Sequence, residues 1–579
     1  MAWDEWWADR GHPSEHDPGP PRNRRWGRLF ADVPDYRSLG VAATGREAFR
    51  WHFGPMFYRG RLGDDEVKVL LVGQEGAQDE SLSHRSFTGG TGSRMQHLLR
   101  HLGITRSYLF LNTFCYPIFG QYGDHLRDLA QDPDSPVVGH RHRIFDYVVE
   151  RNDLQLVIGV GTAAKESVAT WLRSHGVDAD PRDLDRSSPG AVSPGLRAIG
   201  VLHPGGAAGG GSSAIRADFE RAVRVVDRWR SDVPGWLAVD PDGVAGTVSA
   251  YRYGSVPIPF GDFPFGTTWR LGRGATSSNR KDEQRSIQLF SAAGRYNGRG
   301  DDPTYGSTAP GTPAGYEGEP GDLPYEPPRA SHREFDRGPD PTMASLLTPD
   351  WPRVDGTLGH ESLGFGPIHR GRHRGITMLV LADQGSDDDL FTGRACSGDD
   401  GQHLQAWMRA TGVTHRYAIL RVPPFDSTGA SSSARRRWID DPDTIGAYDA
   451  IVSELADRSD ALDVVVAVGT YAARLAGHLG LEAVELRFRG AQGWRQSWDA
   501  ALGILSSRGH RSDVADPSFA YDGGREQIPR IDLPYGTLRW QGSSGDRAVQ
   551  ARVDGRLSGD YYKVFVPRWV FDLAPGAHT

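Results

Sequence analysis

The chain repeats itself, and that constrains its architecture more than any other feature of the sequence. Residues 68–75 read KVLLVGQE and residues 377–384 read TMLVLADQ. Behind the first comes SFTGGTGSRMQHLLRHLGITRSYLFLNT, and behind the second ACSGDDGQHLQAWMRATGVTHRYAILRV. Gly103 answers Gly412 and Tyr108 answers Tyr417 at one constant spacing. Upstream, Phe53-Gly54-Pro55 answers Phe365-Gly366-Pro367, and Arg59-Gly60-Arg61 answers Arg370-Gly371-Arg372. Downstream, LVIGVGTAA answers VVVAVGTYA, and the IPFGDFPFGT run from Ile258 answers IPRIDLPYGT from Ile528. An ordered series of this kind marks a duplication.

Both copies share one grammar. A continuous apolar run (67–72; 377–381) has the character of a strand buried on both faces. A Gly-rich loop and an amphipathic helix with apolar positions at Met95, Leu98, Leu99 and Leu102 follow. Then come a strand at 108–111, a helix near 140–151, a strand at 156–160, a helix from Thr162 and a strand at 196–202. Alternating strands and helices predict an α/β/α sandwich on a parallel sheet, with ligands at the carboxyl ends of the strands. The expected organisation is an N-terminal segment 1–32, an α/β domain 33–235, a β-rich aromatic extension 236–300, a Pro/Gly-rich linker 301–345, a second α/β domain 346–514, and a second β-rich extension 515–579.

Composition removes several classes. Two cysteines, Cys115 and Cys396, neither in a CxxC, leave no thiolate set for zinc or an iron–sulfur cluster and no disulfide framework. No cofactor or metal is expected. The first residues lack a basic segment followed by an apolar run, and no stretch of 18 apolar residues occurs, so a soluble cytoplasmic protein with no membrane partner is expected. The formal net charge of −8 gives no bulk polycationic signal for nucleic acid. Only four of the 66 basic residues are lysine; arginine suits phosphate and base recognition, and a GC-rich genome produces the same bias.

Four motifs of the first copy fall in a telling order: Val72-Gly73-Gln74-Glu75-Gly76-Ala77, Ser86-Phe87-Thr88-Gly89-Gly90-Thr91-Gly92, Leu109-Phe110-Leu111-Asn112, and Leu202-His203-Pro204. Together they resemble the uracil-DNA glycosylase superfamily across residues 50–230: its Gly-Gln-Asp-Pro-Tyr-His motif, its Pro-Phe-Val-Gly segment, its strand-ending asparagine and its His-Pro-Ser motif. The resemblance implies tandem uracil-DNA-glycosylase-like domains, DNA as partner, and hydrolysis of an N-glycosidic bond. That reaction develops positive charge on the sugar and negative charge on the departing base. Glu75 is the candidate to stabilise the sugar cation and orient water, with Asp79 and Glu80 as neighbouring substitutes. His203 would donate a hydrogen bond to the leaving base. Asn112 would read the edge of the extruded base, Phe87 would stack on its face, and Gln74 and Ala77 would border it. Backbone amides at Gly89, Gly92, Gly205 and Gly206 could approach phosphates.

Departures from the family pattern carry information too. Ala77 stands where uracil-specific members hold a tyrosine against the pyrimidine C5 edge, so a bulky 5-substituent would fit. Gly205-Gly206-Ala207-Ala208 replace the serine and apolar wedge after His-Pro. The cluster cysteines of the iron–sulfur branch are missing. In the second copy Glu75 becomes Gln384, Phe87 becomes Cys396, Asn112 becomes Arg421, and His203 falls near Phe488 across a gap. That copy reads as degenerate, with Arg435, Arg436 and Arg437 in a loop available to phosphate. The expectation is a DNA glycosylase that removes a 5-modified pyrimidine, such as modified cytosine in phage DNA, as an antiviral defence. Uracil or mismatch excision in repair, and a non-catalytic DNA-binding protein, are the alternatives.

Overall fold

A computed structural model describes residues 16–266 apart from 23, 46–47, 50–54, 77–79, 81–82, 119–121, 206–210 and 257, together with 285–289, 335–340, 342–343, 346, 368–384, 389–424, 431–537 and 562–566. The first repeat runs α1 (Trp26–Ala31), α2 (Tyr36–Thr44), β1 (Arg59–Gly60), β2 (Val69–Gly73), α3 (Gly90–His101), β3 (Tyr108–Asn112), α4 (Asp124–Gln131), α5 (Pro136–Arg151), β4 (Leu156–Val160), α6 (Thr162–Ser174), β5 (Arg197–Val201) and α7 (Gly211–Asp232). Strand β6 (Arg285–Leu289) lies in the first extension. The second repeat runs β7 (His369–Gly371), β8 (Met378–Asp383), α8 (Asp399–Ala410), β9 (Tyr417–Val422), α9 (Ser432–Ile439), α10 (Pro442–Asp457), β10 (Val464–Val468), α11 (Thr470–His478), β11 (Ala483–Leu486) and α12 (Trp494–Arg508), and its extension ends in β12 (Tyr562–Val566).

The two sheets have the same topology, β1-β3-β2-β4-β5 and β7-β9-β8-β10-β11. Even the register repeats: Val69 pairs with Tyr108 as Met378 pairs with Tyr417. Every residue of β2, β3 and β4 is buried, as the unbroken apolar runs predict. Val69, Leu71, Tyr108, Phe110 and Ile158 face α3 and α7, while Leu70, Val72, Leu109, Leu111 and Val157 face α5 and α6. Each such side chain contributes roughly 1.5–3 kcal/mol by leaving water. The α/β architecture thus stands, with one correction. The sheets are mixed rather than wholly parallel, because β1 and β7 run antiparallel to β3 and β9. Only eight residues separate Gly60 from Val69, too few for the crossover that a parallel strand needs, so the chain must turn back.

The extensions also differ from expectation. Among the described residues of 236–300 the only strand is β6, and the rest is irregular chain with short 3-10 turns at Val248–Ala250 and Phe260–Asp262. β6 pairs antiparallel with β12, so the two extensions join each other. The IPxxD runs have a clear task. Asp262 accepts from Arg59 Nη1 at 2.6 Å and from the Tyr108 hydroxyl at 2.8 Å, with Arg59 and Asp262 fully buried. Asp532 meets Arg370 Nη1 at 3.1 Å and the Tyr417 hydroxyl in the same way. Gln96 and Gln405 complete the two networks.

A second pair of buried arginines joins the repeats reciprocally. Arg85 donates through Nε to Asp17 at 2.6 Å and through Nη1 to the Tyr535 carbonyl, in the second extension, at 2.7 Å. Arg394 donates to Asp336 and to the Phe265 carbonyl, in the first extension. Residues 335–340 were expected within the linker, yet Asp336 is buried in this junction and its N–H bonds to the Leu533 carbonyl. The sequence around it, Glu334-Phe335-Asp336-Arg337-Gly338-Pro339, matches Glu15-His16-Asp17-Pro18-Gly19-Pro20, so the second repeat begins here. Residues 290–334 lie outside the described residues. Among the described residues no helix is long and apolar enough to cross a membrane.

The junction holds three histidines, His16, His369 and His373, beside Asp17, Asp336, Arg337 and Arg394. Burial lowers all three imidazole pKa values, that of His373 to about 3. Burial raises Asp336, but Arg394 and His369 pull its carboxyl well below the ordinary range. An imidazole with a lowered folded-state pKa binds its proton only on unfolding. Its neutral form therefore supports the fold fully above about pH 6.5, and that support fades as pH falls below it. Asp336 keeps its charge through this window. Urea unfolding should accordingly show stability falling between pH 6.5 and 4, and His369→Gln with His373→Gln should flatten the slope. An unchanged slope in that double variant would contradict the assignment.

Candidate functional site

The carboxyl ends of β2, β3, β4 and β5 in the first repeat carry the residues singled out from sequence. Asn112, the last residue of β3, is 7% exposed and pairs with Gly73, the last residue of β2. Its Nδ2 donates to Ser86 Oγ at 3.3 Å, while its buried Oδ1 has no hydrogen-bond partner among the described residues. Phe87 lies against the same spot. A Cβ built on Gly73 would come within 2.3 Å of the Phe87 ring and 2.7 Å of Asn112 Oδ1, so only glycine admits both side chains there. The ring also packs on Phe110 with centroids 4.9 Å apart. Phe87, Asn112 and Gly73 are thus brought together.

The loop before α3 is held in an unusual form. Phe87 has φ 57°, the left-handed region, which costs a residue with a side chain roughly 1–2 kcal/mol. Gly92 makes room for it, since a Cβ there would stand 1.6 Å from the Phe87 carbonyl oxygen. Glu80 Oε1 accepts the N–H groups of Thr88 (2.8 Å) and Gly89 (3.2 Å), so this buried acid caps the loop. Arg59 Nε donates to the Ser86 carbonyl at 3.2 Å, and Ser86 Oγ to the Met56 carbonyl at 3.1 Å. Gly89 is the N-cap of α3 and has no side chain to offer the helix. The first turn of α3 contains Thr91.

His203 stands on the other side of that turn. It follows β5, three strand steps or about 14 Å along the sheet from Asn112. Its Nε2 faces Thr91 Oγ1 at 3.4 Å, and its Nδ1 accepts the Gly205 N–H at 3.2 Å. That acceptance leaves the proton of the neutral ring on Nε2. The ring is exposed at its edge, yet desolvation by the protein around it holds its pKa below the usual value, and Arg94 acts in the same sense. Glu75 lies just beyond β2 and is half-buried. Its Oε2 accepts the Ile118 N–H at 3.0 Å and its Oε1 the Gln74 side-chain amide at 3.2 Å, so the carboxylate is oriented from both sides. Asp79, Ala77 and Gly206 lie outside the described residues.

Sequence reasoning missed Ser86, Thr91 and Arg94, the partners of Asn112 and His203. Ser86 and Thr91 sit inside the quoted Ser86–Gly92 motif, but only the fold shows which side chain each meets. Arg435, Arg436 and Arg437 belong to α9 rather than a loop, with Arg436 and Arg437 exposed. Ser431 caps the start of that helix, its hydroxyl accepting the Ala434 N–H, a capping signal the run of arginines obscured. Among the described residues no group of three His, Cys, Asp or Glu side chains could hold a metal ion. No protein-family model matches the chain, and no curated protein matches it.

Packing of the Phe87 ring on Gly73 can be measured directly. Gly73→Ala should cost about 1–3 kcal/mol in urea unfolding, the range for overpacking a filled site. In a Phe87→Ala background that cost should fall by more than half; an undiminished cost would contradict the contact.

Proposed function

We propose that the first repeat is a DNA glycosylase, which hydrolyses the N-glycosidic bond of a pyrimidine swung out of DNA and leaves an abasic site. One observation carries this reading: a buried Asn112 amide, whose Oδ1 has no partner among the described residues, beside an aromatic ring at the carboxyl ends of a parallel run of strands. A buried acceptor without a donor costs roughly 1–3 kcal/mol. An N–H on the edge of a base would remove that cost, and the same base would stack on Phe87.

The other residues take roles consistent with the bond to be broken. Glu75, held by the Ile118 N–H and Gln74, can face the positive charge that grows on the sugar and align the attacking water. His203 Nε2–H can donate to the base oxygen as the base departs with the bonding pair. The lowered pKa keeps this imidazole neutral at pH 7, so it polarises by hydrogen bonding. The Gly89 N–H expected for a phosphate already donates to the buried Glu80 carboxylate, so no phosphate is assigned to the N-terminal turn of α3. A 5-modified base, such as modified cytosine in phage DNA, is the preferred substrate. That preference rests on Ala77 and on the resemblance to the uracil-DNA glycosylase superfamily, and it makes defence against phage the biological role.

Matched duplexes carrying uracil, 5-methylcytosine or glucosyl-hydroxymethylcytosine test this by the abasic product they yield. We expect release of the bulky modified base, lowered about 10²–10³-fold by Asn112→Ala, and by Glu75→Gln to a similar degree. Release of uracil alone would overturn the choice of base in favour of repair. Release of no base would leave a DNA-binding protein without chemistry.

A further inference from the structure

Helices α3 and α7 both start at the carboxyl ends of the first sheet, after β2 and β5, and the first extension runs between them. Val256 N–H bonds to the Ser93 carbonyl of α3 at 3.1 Å, and the Tyr253 ring meets the Phe219 ring of α7 edge-on, with centroids 5.0 Å apart. Arg94 follows Ser93 and Arg216 stands one turn before Phe219, so both arginines belong to the end of this groove nearest His203. Arg94 Nη1 donates to the Pro204 carbonyl at 3.3 Å, and Arg216 is exposed. Burial raises the Tyr253 pKa and the charges of Arg94 and Arg216 pull against it, so both flank that ring. Neither arginine has a carboxylate partner among the described residues. Asp218 is taken up by the Leu202 N–H at 2.7 Å and by Arg221 Nε at 2.9 Å, and Glu220 bears on Tyr251.

The second repeat closes the same groove on itself. Glu526 N–H bonds to the Gln402 carbonyl as Val256 N–H bonds to that of Ser93. Arg487 N–H bonds to Ser497 Oγ as Leu202 N–H bonds to Asp218. This register sets Arg495 opposite Arg216, His403 opposite Arg94, and Gly523 opposite Tyr253. With no side chain on Gly523, Arg495 folds inward: a Cβ there would stand 1.9 Å from its Nη1. Its Nη2 donates to the Tyr521 carbonyl at 3.3 Å, and its guanidinium lies 5.5 Å from the centre of the Tyr521 ring. His403 Nδ1 meets the Tyr521 hydroxyl at 3.1 Å. In the first repeat the Tyr253 side chain takes that space, and the hydroxyls of Tyr251 and Tyr253 have no partner among the described residues. Two cations without counter-charge beside the site suit an anion, and a guanidinium meets phosphate with paired N–H donors.

We propose that Arg94 and Arg216 bind phosphates of the DNA strand that carries the extruded base, and that Tyr253 is a positioning residue that keeps Arg216 turned outward. The placing of the two arginines stands by itself; DNA as the polyanion rests on the reading of the first repeat as a site of base release. Tyr253 acts by its volume, because glycine at the matching place lets the matching arginine collapse onto Tyr521. Arg495, folded in, is not offered to the strand.

Fluorescence anisotropy of the full chain with a short labelled duplex, followed across a salt series, tests this, with Glu75→Gln in every protein so that the duplex stays intact. Each phosphate contact given up lowers the slope of log affinity against log salt by about 0.9. Arg94→Gln and Arg216→Gln should each do so, weakening binding roughly 5–10-fold at about 0.1 M salt, and equally for modified and unmodified duplexes. Tyr253→Gly should match Arg216→Gln and add nothing to it in the double variant, whereas Tyr253→Phe should bind like the parent. Arg495→Gln should leave the slope unchanged. An unchanged slope in both Arg94→Gln and Arg216→Gln, or an equal loss in Arg495→Gln, would overturn the proposal. So would displacement of the duplex by millimolar inorganic phosphate at fixed ionic strength, which would assign the arginines to a free anion. The expected salt effects, alongside a wild-type protein that releases no base, would sink only the reading of the first repeat as a glycosylase.

Discussion

Each repeat depends on an arginine taken fully out of water. A guanidinium with no exposure must be matched by a carboxylate and neutral acceptors, or the fold bears several kcal/mol of desolvation without return. Arg59 is matched by Asp262, Gln96 and the Ser86 carbonyl, and it also lies 3.9 Å over the Phe110 ring. Those partners come from an extension, a helix, a loop and a strand. One side chain therefore fixes where four pieces of chain meet, and Ser86, the loop residue among them, in turn holds Asn112. The geometry of the site begins at a salt bridge that touches no ligand.

The same logic explains why the extensions exist. Their described residues hold little regular structure, but each extension delivers a carboxylate to its own repeat and a carbonyl to the other. Arg85, adjacent to Ser86 and two residues before Phe87, needs the Tyr535 carbonyl from the far end of the chain. Arg394 needs the Phe265 carbonyl in the reciprocal sense. A second repeat that had lost its chemistry would still be retained, because without it the loop that carries Phe87 loses an acceptor for a buried charge.

Much of this was legible in sequence, and the limits have physical causes. The buried strands declared themselves because a strand covered on both faces must be apolar throughout. Arg59 with Arg370, and the IPxxD runs, stood out as matched motifs, yet only the fold showed that each arginine meets its own aspartate, 203 residues away in the first repeat and 162 in the second. Asp17 and Asp336 escaped notice because single aspartates in Pro/Gly-rich chain look like linker. The edge strands β1 and β7 are two and three residues long, too short to show a period. Asn112 and Phe87 were found through motif order, whereas their meeting over Gly73 depends on strand register.

The central claim is that an extruded base lies on Phe87 with its edge on Asn112. A crystal structure of the full chain with a duplex bearing a 2′-fluoro-stabilised modified cytidine, which resists hydrolysis, tests it most directly. The base should stack on the Phe87 ring with an N–H on Asn112 Oδ1, Glu75 under the sugar, and His203 Nε2 turned from Thr91 toward the base. A duplex with every base still paired, or a base lodged elsewhere while Asn112 Oδ1 stays unsatisfied, would contradict the account.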